Sequence, residues 1–195
     1  MTITSIEQLD FSKRYSYADY LKWQISERLE LIKGYIMRMS APSREHQKLS
    51  WNLEREMDKY FYGKPCEIYH APFDVRLPRL NERNDKEVYT VVQPDICIIC
   101  DESKLDKRGC IGAPDLIIEI LSPGNTKKEM KEKFEVYEET GVKEYWMVDM
   151  AEKIVLLYSL NEQGKYVGHR PFIEDETLHS IIFPDLNIDL TRVFA

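Results

Sequence analysis

Glu119 stands in the middle of an apolar run, Leu116-Ile117-Ile118-Glu119-Ile120-Leu121. Strand alternation puts Asp115, Ile117, Glu119 and Leu121 on one face and Leu116, Ile118 and Ile120 on the other. A carboxylate buried in such a strand is costly or is neutralised. It persists when it meets a cation: a metal, a lysine or an arginine. Asp95 has a similar setting, after Pro94 and before Ile96-Cys97-Ile98-Ile99. If the two strands are neighbours, two carboxylates converge on one face, and a divalent cation relieves their repulsion. Oxygen ligands alone favour Mg²⁺ or Mn²⁺ over zinc.

The third residue is Lys133. Met130, Phe134, Tyr137 and Gly141 form the inward stripe of a helix, and Lys133 borders it, whereas Lys128 and Lys131 point outward. Its long stem can reach the acids of a sheet beneath. Two acids, a metal and a lysine suffice for phosphodiester hydrolysis: the metal polarises the phosphate and activates a water, and the lysine orients that water and stabilises developing charge. Spacing alone leaves a structural alternative open, in which Glu119 pairs with Lys133 and Asp95 caps a turn after Pro94. His46, on the apolar face of another helix, reads more readily as a core histidine than as a ligand. Lys127, Lys128 and Lys131 are interleaved with glutamates, as on a solvated face. There is no phosphate-cradling glycine-rich loop and no serine or cysteine triad signature.

A scaffold for these residues is legible along the chain. Residues 16–25 read as a short helix, capped by Ser16 with Asp19 three positions on. Residues 28–40 read as a hairpin turning at Lys33-Gly34. Residues 43–61 form an amphipathic helix with His46, Leu49, Leu53, Met57 and Tyr60 on one face, stopped by Gly63-Lys64-Pro65. Strands are expected at 67–77 and 88–100, separated by a charged loop. A second loop, 101–114, leads to the strand bearing Glu119. A helix over 126–140, with a Thr126–Glu129 capping box and Gly141 at its end, precedes strands at 144–150 and 153–160. The tail, 181–190, is expected to fold back as edge structure. Strand, helix, strand and then hairpin predict an α/β fold with a mixed sheet.

The 195 residues are 43% hydrophobic and 31% charged, which predicts one globular domain over 1–195, with 1–40 as an N-terminal helix and hairpin elaboration. A net charge of −7 argues against indiscriminate nucleic-acid binding but leaves room for a local basic surface. No apolar run is long enough to span a bilayer, and residues 1–15 lack a basic-then-apolar signal pattern, so the expected address is the cytoplasm. The four cysteines are expected to be reduced. Cys97 and Cys100 would point to opposite sides of a strand and so would not share a metal.

Nearly end to end, the chain resembles the Uma-two family of restriction endonucleases, within the PD-(D/E)XK nuclease superfamily. The resembling segments are LELIKGYIMRMSAPSREH (29–46), APFDVRL (71–77), VVQPDICII (91–99), GAPDLIIEILSP (112–123) and KEKFEVYEETGVKEYWMVD (131–149). The resemblance implies a restriction-endonuclease-like mixed central sheet flanked by helices, and a Mg²⁺- or Mn²⁺-dependent endonuclease acting on DNA. Asp95 matches the superfamily's metal-binding aspartate and Glu119 the acid of its acid-x-Lys triplet, while Leu121 stands where the triplet has lysine. The family resembles cases in which the lysine has migrated to the following helix, and Lys133 is at the matching position. The resemblance also points to the Ile120 carbonyl as a further ligand, and to Glu30 and His46 as accessory positions. Glu129 stands where relatives commonly carry aspartate. The rival expectation, favoured by Leu121 and by the negative net charge, is a nuclease-like fold that does not cut and serves as a binding or assembly module. A homodimer would supply two centres for the two strands of a duplex.

Overall fold

A computed structural model of the chain describes residues 2–79, 84–122 and 127–195. The Thr126–Glu129 capping box lies outside the described residues. The first helix, α1 (Tyr17–Tyr20), is a single turn rather than the ten residues expected. The Asp19 carboxylate does accept from both the amide and the hydroxyl of Ser16. Past Trp23 the chain turns extended, with the Gln24 amide donating to the Ile3 carbonyl at 2.7 Å. The hairpin β1 (Leu29–Ile32) and β2 (Tyr35–Arg38) forms as predicted. Lys33 and Gly34 both take positive φ, 54° and 90°, as a two-residue primed turn requires. Ser43 caps α2 (Arg44–Phe61), its hydroxyl accepting from the His46 amide at 3.1 Å.

Two expected strands are each broken at a proline, which cannot donate to a ladder. Residues 67–77 divide into β3 (Glu67–His70) and β4 (Val75–Arg76), either side of Pro72. Residues 88–100 divide into β5 (Val91–Val92) and β6 (Ile96–Ile99), either side of Pro94. The halves enter different sheets. The expected loop over 101–114 contains a hairpin, β7 (Leu105–Asp106) and β8 (Gly109–Ile111). Then follow β9 (Leu116–Leu121), α3 (Lys127–Thr140), β10 (Glu144–Asp149) and β11 (Ile154–Leu160). Short strands β12 (Tyr166–Gly168) and β13 (Phe172–Ile173) pair with successive parts of β11. The tail pairs with itself, as β14 (Thr177–His179) and β15 (Asn187–Asp189), rather than adding to a sheet edge, and ends in α4 (Leu190–Val193).

The main sheet runs β12-β11-β10-β9-β6-β3, with β9 and β10 parallel and the other neighbours antiparallel. It is the mixed sheet expected of a strand, helix, strand crossover beside a hairpin. A second sheet runs β2-β1-β5-β4-β8-β7. Ile96, Ile98, Leu116, Ile118 and Ile120 point to one side, under Leu49, Leu53 and Met57 of α2 and the apolar residues of the tail. Cys97, Ile99 and Ile117 point to the other, under Val136 and Tyr137 of α3 and Val75 and Val92 of the second sheet. β9, covered on both faces, is therefore apolar at every position but one. Among the described residues, no helix is long and apolar enough to cross a membrane.

The expectation of four reduced thiols is overturned. Cys66 and Cys100 are bonded. The antiparallel register Glu67↔Ile99, continued one step, sets them face to face. Cys97 and Cys110 are free and buried. Cys97 packs on the α3 side and Cys100 on the α2 side, so the two do point apart as strand alternation requires.

Candidate active site

Glu119 lies on the α3 face of β9. The register Ile96↔Ile118 and Cys97↔Ile117, continued one residue, carries Asp95 across from Glu119. Opposed residues on antiparallel strands share a face, and both acids line one cleft of about 760 Å³. Asp95 is not inside a continuous strand, as the sequence suggested. It sits at the bend after Pro94, with its side chain 19% exposed. Its Oδ2 accepts from the Ile120 amide at 2.8 Å, and its Oδ1 lies 3.2 Å from Nε2 of His46. His46 is therefore part of the site and not a core histidine. The Ser43 cap places it on the first turn of α2, pointing at the end of the sheet.

α3 supplies two donors from one face, four residues apart. Lys133 Nζ is 2.9 Å from Glu119 Oε1, and the Tyr137 hydroxyl donates to the same oxygen at 2.6 Å. Lys133 also reaches Glu30 Oε1, on β1, at 3.1 Å. Glu30 is 1% exposed and also accepts from the Gln93 amide at 2.8 Å. Gln93 thus fastens Glu30 from the kink between β5 and β6, and its side chain bridges Arg28 and Asp74. The structure brings Asp95, Glu119, Lys133, Glu30 and His46 to one cleft, where Ile120 and Glu129 also lie. Sequence reading missed Gln93, whose one signal was a polar residue before proline in an apolar run. It placed Tyr137 on the inward stripe without a partner.

Burial pushes the Glu119 carboxyl up to about 7, with Asp95 and Glu30 acting in the same direction and Lys133 and Tyr137 against it. Burial alone would lower the Lys133 ammonium, but Glu119 and Glu30 outweigh it and hold it above the usual lysine range. Burial likewise opposes a charged His46, yet Asp95 and Glu119 raise it overall.

Among the described residues, the cleft is lined by five carboxylates (Glu30, Glu54, Asp95, Glu119 and Glu129) against the three fixed cations Arg28, Arg38 and Lys133. Carboxylate oxygens gathered in one cleft suit a hard divalent cation in donor type. Among the described residues, no three His, Cys, Asp or Glu side chains already form a cage for one. The oxygens of Asp95 and Glu119 instead serve His46, the Ile120 amide, Lys133 and Tyr137, and a cation would take them in exchange for some of these hydrogen bonds.

A family model described as "Uma2: Putative restriction endonuclease" matches residues 17–191. Two curated relatives come from Synechocystis sp., and both are named only as uncharacterized proteins. One, slr1290, is 27% identical over 157 residues, covering 79% of this chain and 78% of the relative. The other, sll1609, is 28% identical over 143 residues, covering 71% and 76%. A crystal structure from Anabaena variabilis, described as a "putative nuclease belonging to DUF820", superposes with a TM-score of 0.70. The match covers 92% of this chain and 97% of that one at 18% identity, so the two share a fold.

Proposed function

This chain belongs to the Uma2 family, and from that membership together with the cleft we propose that it is a divalent-metal-dependent endonuclease hydrolysing DNA phosphodiester bonds. One observation carries the reading: Asp95 and Glu119 face each other from neighbouring strands in a cleft where, among the described residues, acidic side chains outnumber Lys and Arg, beside a buried lysine. Asp95 and Glu119 would hold Mg²⁺ or Mn²⁺, with the Ile120 carbonyl as a further oxygen. When bound, the ion supplies charge neutralisation at the phosphate and a water acidic enough to attack near neutral pH.

The protein's own residues do the rest. Glu30 keeps the Lys133 ammonium charged and anchored when Glu119 turns to the cation, because Lys133 bonds to both acids. The ammonium then orients the attacking water and meets the charge that develops on the phosphate oxygens. Tyr137 fixes the rotamer of Glu119, and His46 fixes that of Asp95. These are positioning roles.

The test is cleavage of plasmid and oligonucleotide DNA with Mg²⁺ by the wild type, Asp95→Ala and Glu119→Ala, each checked for folding by circular dichroism. Both variants are expected to fold and not to cut. Cleavage retained in both would remove the assignment. The hydrogen bond from Lys133 to Glu119 favours a second reading, in which the ion pair is structural and the fold is a non-cutting binding module. Calorimetric titration with Mg²⁺ and Mn²⁺ separates the two, since the module reading requires that neither ion bind.

A further inference from the structure

We infer that the outer surface of α2 is a platform for a single-stranded nucleic acid, which delivers one unpaired nucleotide stretch to the cleft. The inference rests on the endonuclease reading for its substrate class, and on two separate features of the surface for its geometry. The first is Trp51, an indole left 60% exposed on the rim of the cleft. The second is a hollow of about 310 Å³ on the far side of α2, bordered by Lys48, Asn52, Arg55, Lys59 and Arg192.

The helical repeat relates them. At 3.6 residues per turn, Gln47, Ser50 and Glu54 lie to one side of Trp51, and these line the cleft. Lys48, Asn52, Arg55 and Lys59 lie to its other side, and these line the hollow. Trp51 is the boundary between a cleft with surplus acid and a stripe with surplus base. Among the described residues, the hollow has four cationic side chains and one acidic one, Glu56; Lys59 pairs with Glu56 and Arg192 with Asp189 at 3.1 Å, so Lys48 and Arg55 carry the surplus positive charge. In a chain of net charge −7, this stripe is where a phosphate backbone is attracted rather than repelled.

A backbone track beside an exposed aromatic ring is how sequence-tolerant single-strand sites are built: cations follow the phosphates and the ring takes a base on its face. A paired duplex hides its base faces in the stack, and Trp51 could not reach them. The depth of the cleft points the same way. Glu30 is 1% and Glu119 9% exposed, so a backbone must bend down to them, which an unpaired strand does at least cost. The strand would lie with phosphates over Lys48, Arg55 and Lys59, a base on Trp51, and the next phosphodiester in the cleft.

The experiment is fluorescence anisotropy with a labelled oligodeoxythymidylate of about 12 nucleotides, and with a blunt duplex of equal length, in Ca²⁺ buffer over a salt series. The single strand is expected to bind at least about tenfold tighter than the duplex. Trp51→Ala should weaken single-strand binding about tenfold, and Trp51→Phe should restore most of it. Lys48→Gln with Arg55→Gln should reduce the salt slope by about 1.4, the value for two lost phosphate contacts on a single strand. All these side chains are exposed, so the variants should melt with the wild type. Equal or tighter duplex binding, unchanged binding by Trp51→Ala, or no binding of either probe would overturn the inference. Tight single-strand binding without Mg²⁺-dependent cleavage would instead sink the endonuclease reading alone.

Discussion

Lys133 reaches Glu119 across 2.9 Å from a helix, not from the strand that bears the acid. A lysine at position 121 would share the face of Glu119, because alternate strand residues point the same way. That position is Leu121, which packs into the apolar cluster beneath α3. α3 returns over the same face and lowers Lys133 into the gap, 6% exposed, between Glu119 of the main sheet and Glu30 of the second. The cation comes from a different element than the acid it meets, and it ties two sheets and a helix together.

Lys133→Met should therefore do two things. It leaves Glu30 and Glu119 buried without a cation, which costs about 3–5 kcal/mol when one member of a buried pair is removed. On the proposed mechanism it also removes the group that would orient the attacking water, so cleavage should be lost. Mg²⁺ should recover more of the melting temperature in the variant than in the wild type, since an ion can substitute for the lost charge. Calorimetric melts with and without Mg²⁺ check this. A variant as stable as the wild type in metal-free buffer would show that the ion pair contributes nothing.

Glu144 is a second acid hidden in the sheet, and it should behave in the opposite way to Glu119. It is fully buried, and its carboxylate accepts from the Trp146 indole at 2.6 Å and from the Ile181 and Ile182 amides at 2.8 and 2.9 Å. Burial raises its carboxyl, while these donors pull it back down. Its task is to pin the tail to β10. Glu144→Gln replaces an acceptor by a group that is half donor, and should cost about 2–3 kcal/mol with the cleavage rate unchanged. Glu119→Gln removes a desolvated charge while Lys133 keeps Glu30, so it should melt near the wild type yet, on the proposed mechanism, lose cleavage. Paired melting and rate measurements on the two variants decide. An equal loss of stability in both would remove the distinction between a site acid and a structural one.

The two acids also show what a sequence reveals. Glu119 is legible because apolar residues flank it on both sides. Glu144 is as buried, but it opens its strand after Gly141-Val142-Lys143, where an acid reads as solvated, and two of its partners, the Ile181 and Ile182 amides, come from a tail almost forty residues on. Asp95 was placed on the right face for an incomplete reason: Pro94 breaks the expected strand, yet the register beyond the break still sets Asp95 opposite Glu119. The mixed sheet, the hairpin and both long helices follow from local periodicity and caps. The meeting of Glu30 with Lys133 depends on how two sheets dock, which no local pattern encodes. The partner of Arg76 is hidden because β4 and β7 meet only through β8 within the second sheet, a pairing that no local pattern encodes either.

Arg76 is 1% exposed, with Nη2 2.7 Å from Asp106 Oδ1 and Nε donating to the Cys110 carbonyl at 3.1 Å. The Arg76 guanidinium, chiefly, holds the Asp106 carboxyl below its usual value, with burial opposing. A carboxyl lowered by folding lends stability that is present above its unfolded pKa, about 3.9, and is lost as pH falls through the folded value. Asp106 is 42% exposed, so solvent discounts the pair. Asp106→Asn should cost about 1–2 kcal/mol near pH 7. The gap between variant and wild type should narrow towards pH 3, and urea melts at both pH values would measure it. A gap that is constant or widens in acid would refute the pairing as a source of stability.

The Cys66–Cys100 bond closes 34 residues of sequence, from β3 through β4 and β5 of the second sheet to the end of β6. Such a link raises stability mainly by restricting the unfolded chain, by about 2–4 kcal/mol for closures of this size. It joins the strands at the end away from Asp95, and the ladder Glu67–His70 with Ile96–Ile99 stands between it and the cleft. Reduction, or Cys66→Ser with Cys100→Ser, should thus lower the melting temperature without changing Mg²⁺ affinity. Thiol titration in denaturant gives the decisive count. Two of the four cysteines, Cys97 and Cys110, should react before reduction and all four after it. Four reactive thiols in unreduced protein would mean that β3 is held to the sheet by its ladder alone, and the stability difference between the two forms should then vanish.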